Sequence, residues 1–330
     1  MNRKPFEFRY LVVSFFGLLA ACSGSVNVDI KGPDIWTGSL PWIDEAVTAH
    51  GVNTGMGGIT VNGVTYLTGH TTVWANGRPG TVSGLRRGQV ITVRGQIHGG
   101  SFTGTADRID YDARLIGPVE SLDADNHRLA AMGQTVITGP KTVFAGGINP
   151  ANYAGLNSGS VVEISGFARA DGTILATWIE LVAGNPERQL IGEVKDHDLA
   201  NLTYSVGGLT VDYGTALVID LPGGAPADGM IVKMTGELRD GRFIVETVVT
   251  APDLSGFLGR HVQAAGLVTD FNSRSDFDVN GHTVTTNSNT VFVNGGGGDV
   301  ALNAEIVIDG RFASNGSITA NRITFRQILE

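Results

Sequence analysis

One apolar pattern ending in glycine is written four times in this chain, as Val90-Ile91-Thr92-Val93-Arg94-Gly95, Val161-Val162-Glu163-Ile164-Ser165-Gly166, Ile231-Val232-Lys233-Met234-Thr235-Gly236 and Glu305-Ile306-Val307-Ile308-Asp309-Gly310. The glycines stand 71, 70 and 74 residues apart. Such a period constrains the fold more than any single motif, because each copy must be one supersecondary unit. The fourth and second positions before glycine are Ile91 and Val93, Val162 and Ile164, Val232 and Met234, and Ile306 and Ile308. The residue just before glycine is polar in every copy, so each run reads as a strand with one buried face.

Other features keep the same spacing. Upstream stand Thr72-Val73-Trp74, Thr142-Val143-Phe144, Thr215-Ala216-Leu217 and Thr290-Val291-Phe292. Between these strands and the glycine runs lie Leu85-Arg86-Arg87-Gly88, Leu156-Asn157-Ser158-Gly159 and Leu302-Asn303-Ala304-Glu305, whose leucine is expected to plug one end of a small core; the third copy departs, with Pro226-Ala227-Asp228-Gly229. Downstream come the turn signals Gly99-Gly100, Asp171-Gly172, Asp240-Gly241 and Asn315-Gly316, which suit the positive φ angles of tight hairpins. A closing strand follows, carrying Ala106 and Ile109, Ala176 and Ile179, Glu246 and Val249, or Ala320 and Ile323. Copies two to four open with Gly117-Pro118-Val119, Gly192-Glu193-Val194 and Gly266-Leu267-Val268, and the first opening is degenerate, near Gly51 or Val52.

Short strands and turns in this density, with 47 glycines and no long helical periodicity, predict an all-β chain. Five or six short antiparallel strands per copy suit a closed barrel that leaves no exposed edge, so the expected architecture is about four tandem OB-like β-barrels. The expected units are 45–114, 115–185, 186–255 and 256–330, with joints at 110–116, 181–190 and 250–262.

The N-terminus has the order of a secretory signal: Arg3, Lys4 and Arg9, an apolar run from Tyr10 to Leu19, then Leu19-Ala20-Ala21-Cys22. The run is shorter than the roughly 20 residues that a membrane-spanning helix needs. This segment resembles a bacterial lipoprotein signal, which implies a removed peptide 1–21, lipidation of Cys22 and a tether 22–44. By resemblance to Gram-negative lipoproteins, Ser23 after the cysteine implies the periplasmic face of the outer membrane. Several acyl chains, each contributing roughly 0.8 kcal/mol per buried CH₂, make such an anchor stable. Trp36 and Trp42 in the tether either dock on the first unit or sit in a loose linker.

The ordered features within each copy resemble the bacterial family called domain of unknown function 5666, over roughly residues 50 to 325. Its members carry a Gly-x-Val opening, an Asn-Gly turn, a Thr-Val-Phe strand, a Leu-x-x-Gly segment, a Val-x-Val-x-Gly strand and an Ala-x-x-Ile close. The resemblance implies tandem copies on envelope lipoproteins and implies no activity.

Chemistry is sparse. Cys22 is the single cysteine, so neither an internal disulfide nor a cysteine-based zinc site can form. A net charge of −9, becoming −11 when Arg3, Lys4, Glu7 and Arg9 leave with the signal, argues against nucleic acid as a partner. Asp196-His197-Asp198 is the nearest approach to a metal motif, but its place matches the hairpin tip Asp123-Ala124-Asp125-Asn126-His127, where polar residues are simply solvated. Asn294-Gly295-Gly296-Gly297-Gly298-Asp299 lacks the Lys and Ser/Thr of a phosphate loop and reads as a strand connection. Asp110 and Asp112 flank Tyr111 and read as a solvated face rather than as a glycosidase pair. No catalytic residue, metal ligand or cofactor is therefore expected. Among the aromatics, Trp74, Phe144 and Phe292 are expected in cores, whereas Trp178, placed where siblings carry Arg108, Val248 and Arg322, is the expected surface contact.

The leading expectation is a non-enzymatic, lipid-anchored envelope protein whose independent units form an arm for an envelope protein or glycan partner. Small-ligand binding to a barrel face (saccharide, peptide or metal ion) is the second reading, and a hydrolase the third.

Overall fold

The structure, a computed structural model, describes residues 44–251 and 259–326. The signal segment, Cys22, Trp36 and Trp42 lie outside the described residues.

The fold is all-β, and each sequence copy supplies one succession of strands. The first copy forms β1 (Glu45–Val52), β2 (Ile59–Val61), β3 (Val64–Leu67), β4 (Thr72–Ala75), β5 (Arg78–Gly80), β6 (Val90–Ile97) and β7 (Thr103–Tyr111). The second forms β8 (Leu115–Asp123), β9 (Arg128–Ala131), β10 (Gln134–Ala145), β11 (Val161–Ala168) and β12 (Ile174–Leu181). The third forms β13 (Arg188–Glu193), β14 (Lys195–Asp198), β15 (Thr203–Val206), β16 (Leu209–Asp212), β17 (Leu217–Ile219), β18 (Ile231–Arg239) and β19 (Arg242–Thr250). The fourth forms β20 (His261–Ser273), β21 (Asp276–Val279), β22 (His282–Thr285), β23 (Val291–Val293), β24 (Glu305–Phe312) and β25 (Ile318–Phe325).

Two copies close completely as five-stranded OB-like barrels. The second runs β8-β9-β10-β12-β11 and returns to β8, with β10 and β12 parallel. The fourth runs β20-β21-β22-β25-β24 and returns to β20, with β22 and β25 parallel. The other two keep this order around an interrupted first strand. In the first copy β1 stops at Val52 and a single bridge, Asn53 to Val61, continues it. In the third the strand breaks at Val194, between β13 and β14, and β14 is itself irregular at Asp196, which takes a positive φ of 52°.

The repeated glycine sits within its strand rather than at its end, and the reason is steric. At Gly95, Gly166, Gly236 and Gly310 the pairing with the closing strand shifts register by one residue, a β-bulge. A Cβ there would lie 1.9, 2.2, 2.2 and 2.3 Å from the carbonyl oxygens of Thr105, Leu175, Ile244 and Thr319. Only glycine lets the two backbones approach this closely. The opening glycines answer to a different neighbour. Cβ atoms at Gly117 and Gly266 would strike the side chains of Met132 and Asn280, which stand at positive φ in the hairpin turn and cross over the first strand. Gly51 faces Asn62 in the same way, which fixes it as the opening of the first copy.

The bulge register also corrects two alignments. Gly236 pairs with Val245, so the third copy's core positions are Val245 and Val248, both fully buried, and not Glu246 and Val249. In the first copy Thr71, rather than Thr72, matches Thr142 and Thr290. Each of these three hydroxyls donates to the carbonyl of the closing strand's alanine, at Ala106, Ala176 and Ala320. Val73 therefore takes the core position of Phe144 and Phe292, each paired with the closing isoleucine. Trp74 falls one residue outside, 38% exposed, with the Arg108 guanidinium 5.7 Å above its ring. The expectation of a core Trp74 is thus corrected.

The plugging residue is the one that ends a short 3₁₀ turn: Leu85 after Val82–Gly84, Leu156 after Tyr153–Gly155 and Val300 after Gly297–Asp299, all buried. Leu302, the expected plug of the fourth copy, is 52% exposed because Val300 fills that position.

The copies do not form an arm of independent units. β1 runs parallel to β20, with Val47 opposite His261 and His50 opposite Ala264, so the first copy is joined to the fourth. β8 pairs antiparallel with β13 through Leu115 and Leu190, both fully buried, and joins the second copy to the third. One apolar core consequently runs through the second and third copies, while the first and fourth each keep a core of their own. Val90, Phe167 and Leu267, from three different copies, form a further small cluster where the seams converge. Four separate cores were expected; pairing of β8 with β13 merges two of them.

Candidate functional site

The segment joining the first two copies threads the centre of this assembly instead of crossing its surface. The Arg114 amide donates to Ile164 O at 2.8 Å, and its carbonyl accepts from the Ile191 amide at 2.9 Å, so a single residue bonds to the second and third copies at once. The Ala113 amide donates to Asn76 Oδ1 at 2.8 Å, and Gln189 Nε2 donates to the Ala113 carbonyl at 2.6 Å. A connector in the interior must have its backbone groups satisfied, and these bonds do so.

Charged side chains reinforce the seams. Lys233 Nζ of the third copy lies 2.6 Å from Asp112 Oδ1, each side chain 15% exposed. Asp110 is held by Arg94 and by Arg108, the latter at 2.6 Å. Asp110 and Asp112 are therefore ion-paired and largely covered, which corrects their reading as a solvated face. Burial pushes the Asp112 carboxyl above its ordinary range, opposed by Lys233. Tyr111 Oη donates to Glu163 Oε1 at 2.7 Å, and burial raises the Glu163 carboxyl as well.

Trp178 lies in the same seam. It does point outward from its own barrel, as its match with Arg108 and Arg322 requires, but the first copy covers it. It is 1% exposed, edge-on to Tyr111 at 6.5 Å, and its Cβ lies 3.2 Å from where a Cβ at Gly88 would stand. The expected surface contact is instead an internal one.

A cavity of about 80 Å³ opens where all four copies meet. His50, Thr92, Asp110 and Asp112 line it from the first copy, Arg114 from the joint that follows, Phe167 from the second, Ile191 and Ile231 from the third, and Asn280 and His282 from the fourth. His50 Nδ1 stands 3.0 Å from Thr92 Oγ1, and its ring meets Phe167 edge-on at 6.3 Å. Burial, with the charges of His282 and Arg114 nearby, pulls His50 down to about 3, so the ring is neutral at pH 7. Burial lowers Arg114 to about 10, still cationic at pH 7. Its Nε is buried without a hydrogen-bond partner. A second cavity of about 460 Å³ shares Arg114, Ile191, Ile231 and Asn280 with the first and adds Arg169, Lys195, Asp270 and Asp278.

The sequence-predicted candidates fall elsewhere. Positive φ at Asp196 breaks the alternation that would have put Asp196 and Asp198 on one face. Asp196 accepts from Ser205, Asp198 caps the turn at Ala200 and Asn201, and His197 Nε2 lies 2.6 Å from Tyr213 Oη. Among the described residues no group of three or more His, Cys, Asp or Glu side chains is arranged to hold a metal ion. His50 and Arg114 were missed because one lies at the degenerate opening of the first copy and the other at a joint, where the repeat supplies no pattern. The signal was there in Asp110-Tyr111-Asp112-Ala113-Arg114, a dense alternation of charge at a joint.

A search of the curated proteins found no match. The family model described as Domain of unknown function (DUF5666) matches residues 46–110, 116–180 and 265–324, which are the first, second and fourth copies and make up more than half of the chain. The chain belongs to the DUF5666 family.

Proposed function

We propose that this chain is a non-enzymatic binding and scaffold module of a bacterial envelope, held at the periplasmic face of the outer membrane by lipidated Cys22. Its four copies act as four OB-like barrel units, following the divisions 45–114, 115–185, 186–255 and 256–330, fused into one presenting body. The observation that carries this reading is the parallel pairing of β1 with β20, which joins the first copy to the last and gathers the copies around one centre. Closure of this kind favours a composite surface over a string of repeated weak sites, and the partner is an envelope protein or glycan that reads that surface.

The central cavity favours a second reading, small-ligand binding, at the junction rather than on a barrel face. Two measurements test the primary proposal. Small-angle scattering of residues 44–330 should give a radius of gyration of about 19 Å, the value for one compact body of this length; a rod several times longer than wide would refute fusion. Cys22→Ser should move the protein from the membrane to the soluble envelope fraction, and a variant that stays on the membrane would refute the anchor.

A further inference from the structure

Of the arginine and lysine side chains around the central cavity, one stands apart from the carboxylates. Both wall carboxylates are already engaged, Asp112 by Lys233 and Asp110 by Arg94 and Arg108. Arg114, the fourth basic group at this centre, forms no ion pair among the described residues, and its Nε is buried without a hydrogen-bond partner. Nothing but burial bears on its basicity, as expected of a guanidinium with no carboxylate close by. Arg114 is half-buried, and an enclosed Nε–H without a partner is costly unless something satisfies it; a guanidinium presents five donors in a planar fork that matches the oxygens of an anion. The backbone of Arg114 is bonded on both sides, so the root of this side chain is fixed at the cavity wall.

The second wall group is His50. Its Nδ1 stands 3.0 Å from Thr92 Oγ1, so one nitrogen of the ring is tied to the wall of the first copy. A volume of about 80 Å³ has room for a small ion.

We propose that the cavity where the four copies meet is a binding site for a small oxyanion, with Arg114 as its charged binding group. This rests on the reading of the copies as one body, because the walls come from all of them. Scattering tests that body and ion titration tests the site, so one can fail while the other stands.

The experiment is calorimetric titration of the full chain with inorganic phosphate, against sodium chloride at matched ionic strength. Saturable binding of one ion per chain is expected. Arg114→Gln should weaken it by about tenfold or more, since a charge-assisted hydrogen bond is lost. Arg114→Lys, which keeps the charge without the fork, should fall in between. Because Arg114→Gln removes a central side chain, its fold is checked by circular dichroism, and a second readout needs no variant: phosphate should shift the buried arginine Nε–H resonance of the wild-type protein. A parallel titration with glycerol 3-phosphate separates a free ion, bound alone, from a phosphate head group, bound equally well. Absence of saturable phosphate binding, an unmoved Nε–H resonance, or equal binding by Arg114→Gln would each overturn the proposal.

Discussion

The indole of Trp178 meets the phenol ring of Tyr111 edge-on, with centroids 6.5 Å apart and planes at 90°, and the two side chains come from different copies of the repeat. Tyr111 in turn donates to Glu163, beside Trp178's own strand, so an aromatic contact and a hydrogen bond lock the same seam. Removing the indole would leave a large void between two preformed units, neither of which can collapse into it. Trp178→Ala should therefore cost about 3–5 kcal/mol in denaturant unfolding. A loss below about 1 kcal/mol, as for an exposed residue, would contradict its buried role.

Gly166→Ala should destabilise by about 1–3 kcal/mol, because the new methyl group would stand 2.2 Å from the Leu175 carbonyl oxygen and force β11 and β12 apart. Gly172→Ala is the control. Nothing lies within 4 Å of its Cβ, so its cost comes from positive φ alone, and the comparison by urea unfolding isolates the steric part.

Lys233 and Asp112 are a largely buried pair joining the third copy to the segment after β7. Lys233→Met should cost about 3–5 kcal/mol by leaving the Asp112 carboxylate without its cation. The double variant Lys233→Met with Asp112→Asn should recover most of that loss, and a thermal-melting cycle of the four proteins measures the coupling.

His50 predicts a pH dependence. Its folded value, about 3, lies below the ordinary 6.5, so between these limits the unfolded chain binds a proton that the folded chain does not. Its contribution is fully present above pH 6.5 and is lost as pH falls toward 3, with a slope of up to about 1.4 kcal/mol per pH unit. Between pH 6.5 and 5, above most carboxylate titrations, His50→Gln should flatten the stability curve relative to wild type. Parallel curves would show that His50 titrates normally.

The repeat was legible because it is made of short-range geometry. The turn pairs and the alternating strands each follow from backbone contacts within a copy and appear at their expected places, whereas the repeated glycines lie inside their strands rather than at the ends. Errors of one residue arose where two similar residues are adjacent: Thr71 beside Thr72, Val245 beside Glu246. Only the hydroxyl bond to Ala106 and the bulge pairing at Gly236 distinguish them. What the sequence could not reveal is what lies against the outside of each copy. Trp178 has the outward direction its alignment implies, but a neighbour 67 residues away supplies the cover. The same holds for Arg114 and His50, whose surroundings come from copies far apart in the sequence.

The bond between β1 and β20 also sets an order of events. Val47 finds its partner His261 more than two hundred residues later in the chain, so that edge of the first copy stays bare until the fourth has emerged and formed. Pairings of such long sequence separation are slow to close, and an uncovered edge is open to other strands in the interval. Completion of the molecule therefore waits on its last quarter, and a synthesis arrest before that point would release a chain with an adhesive margin.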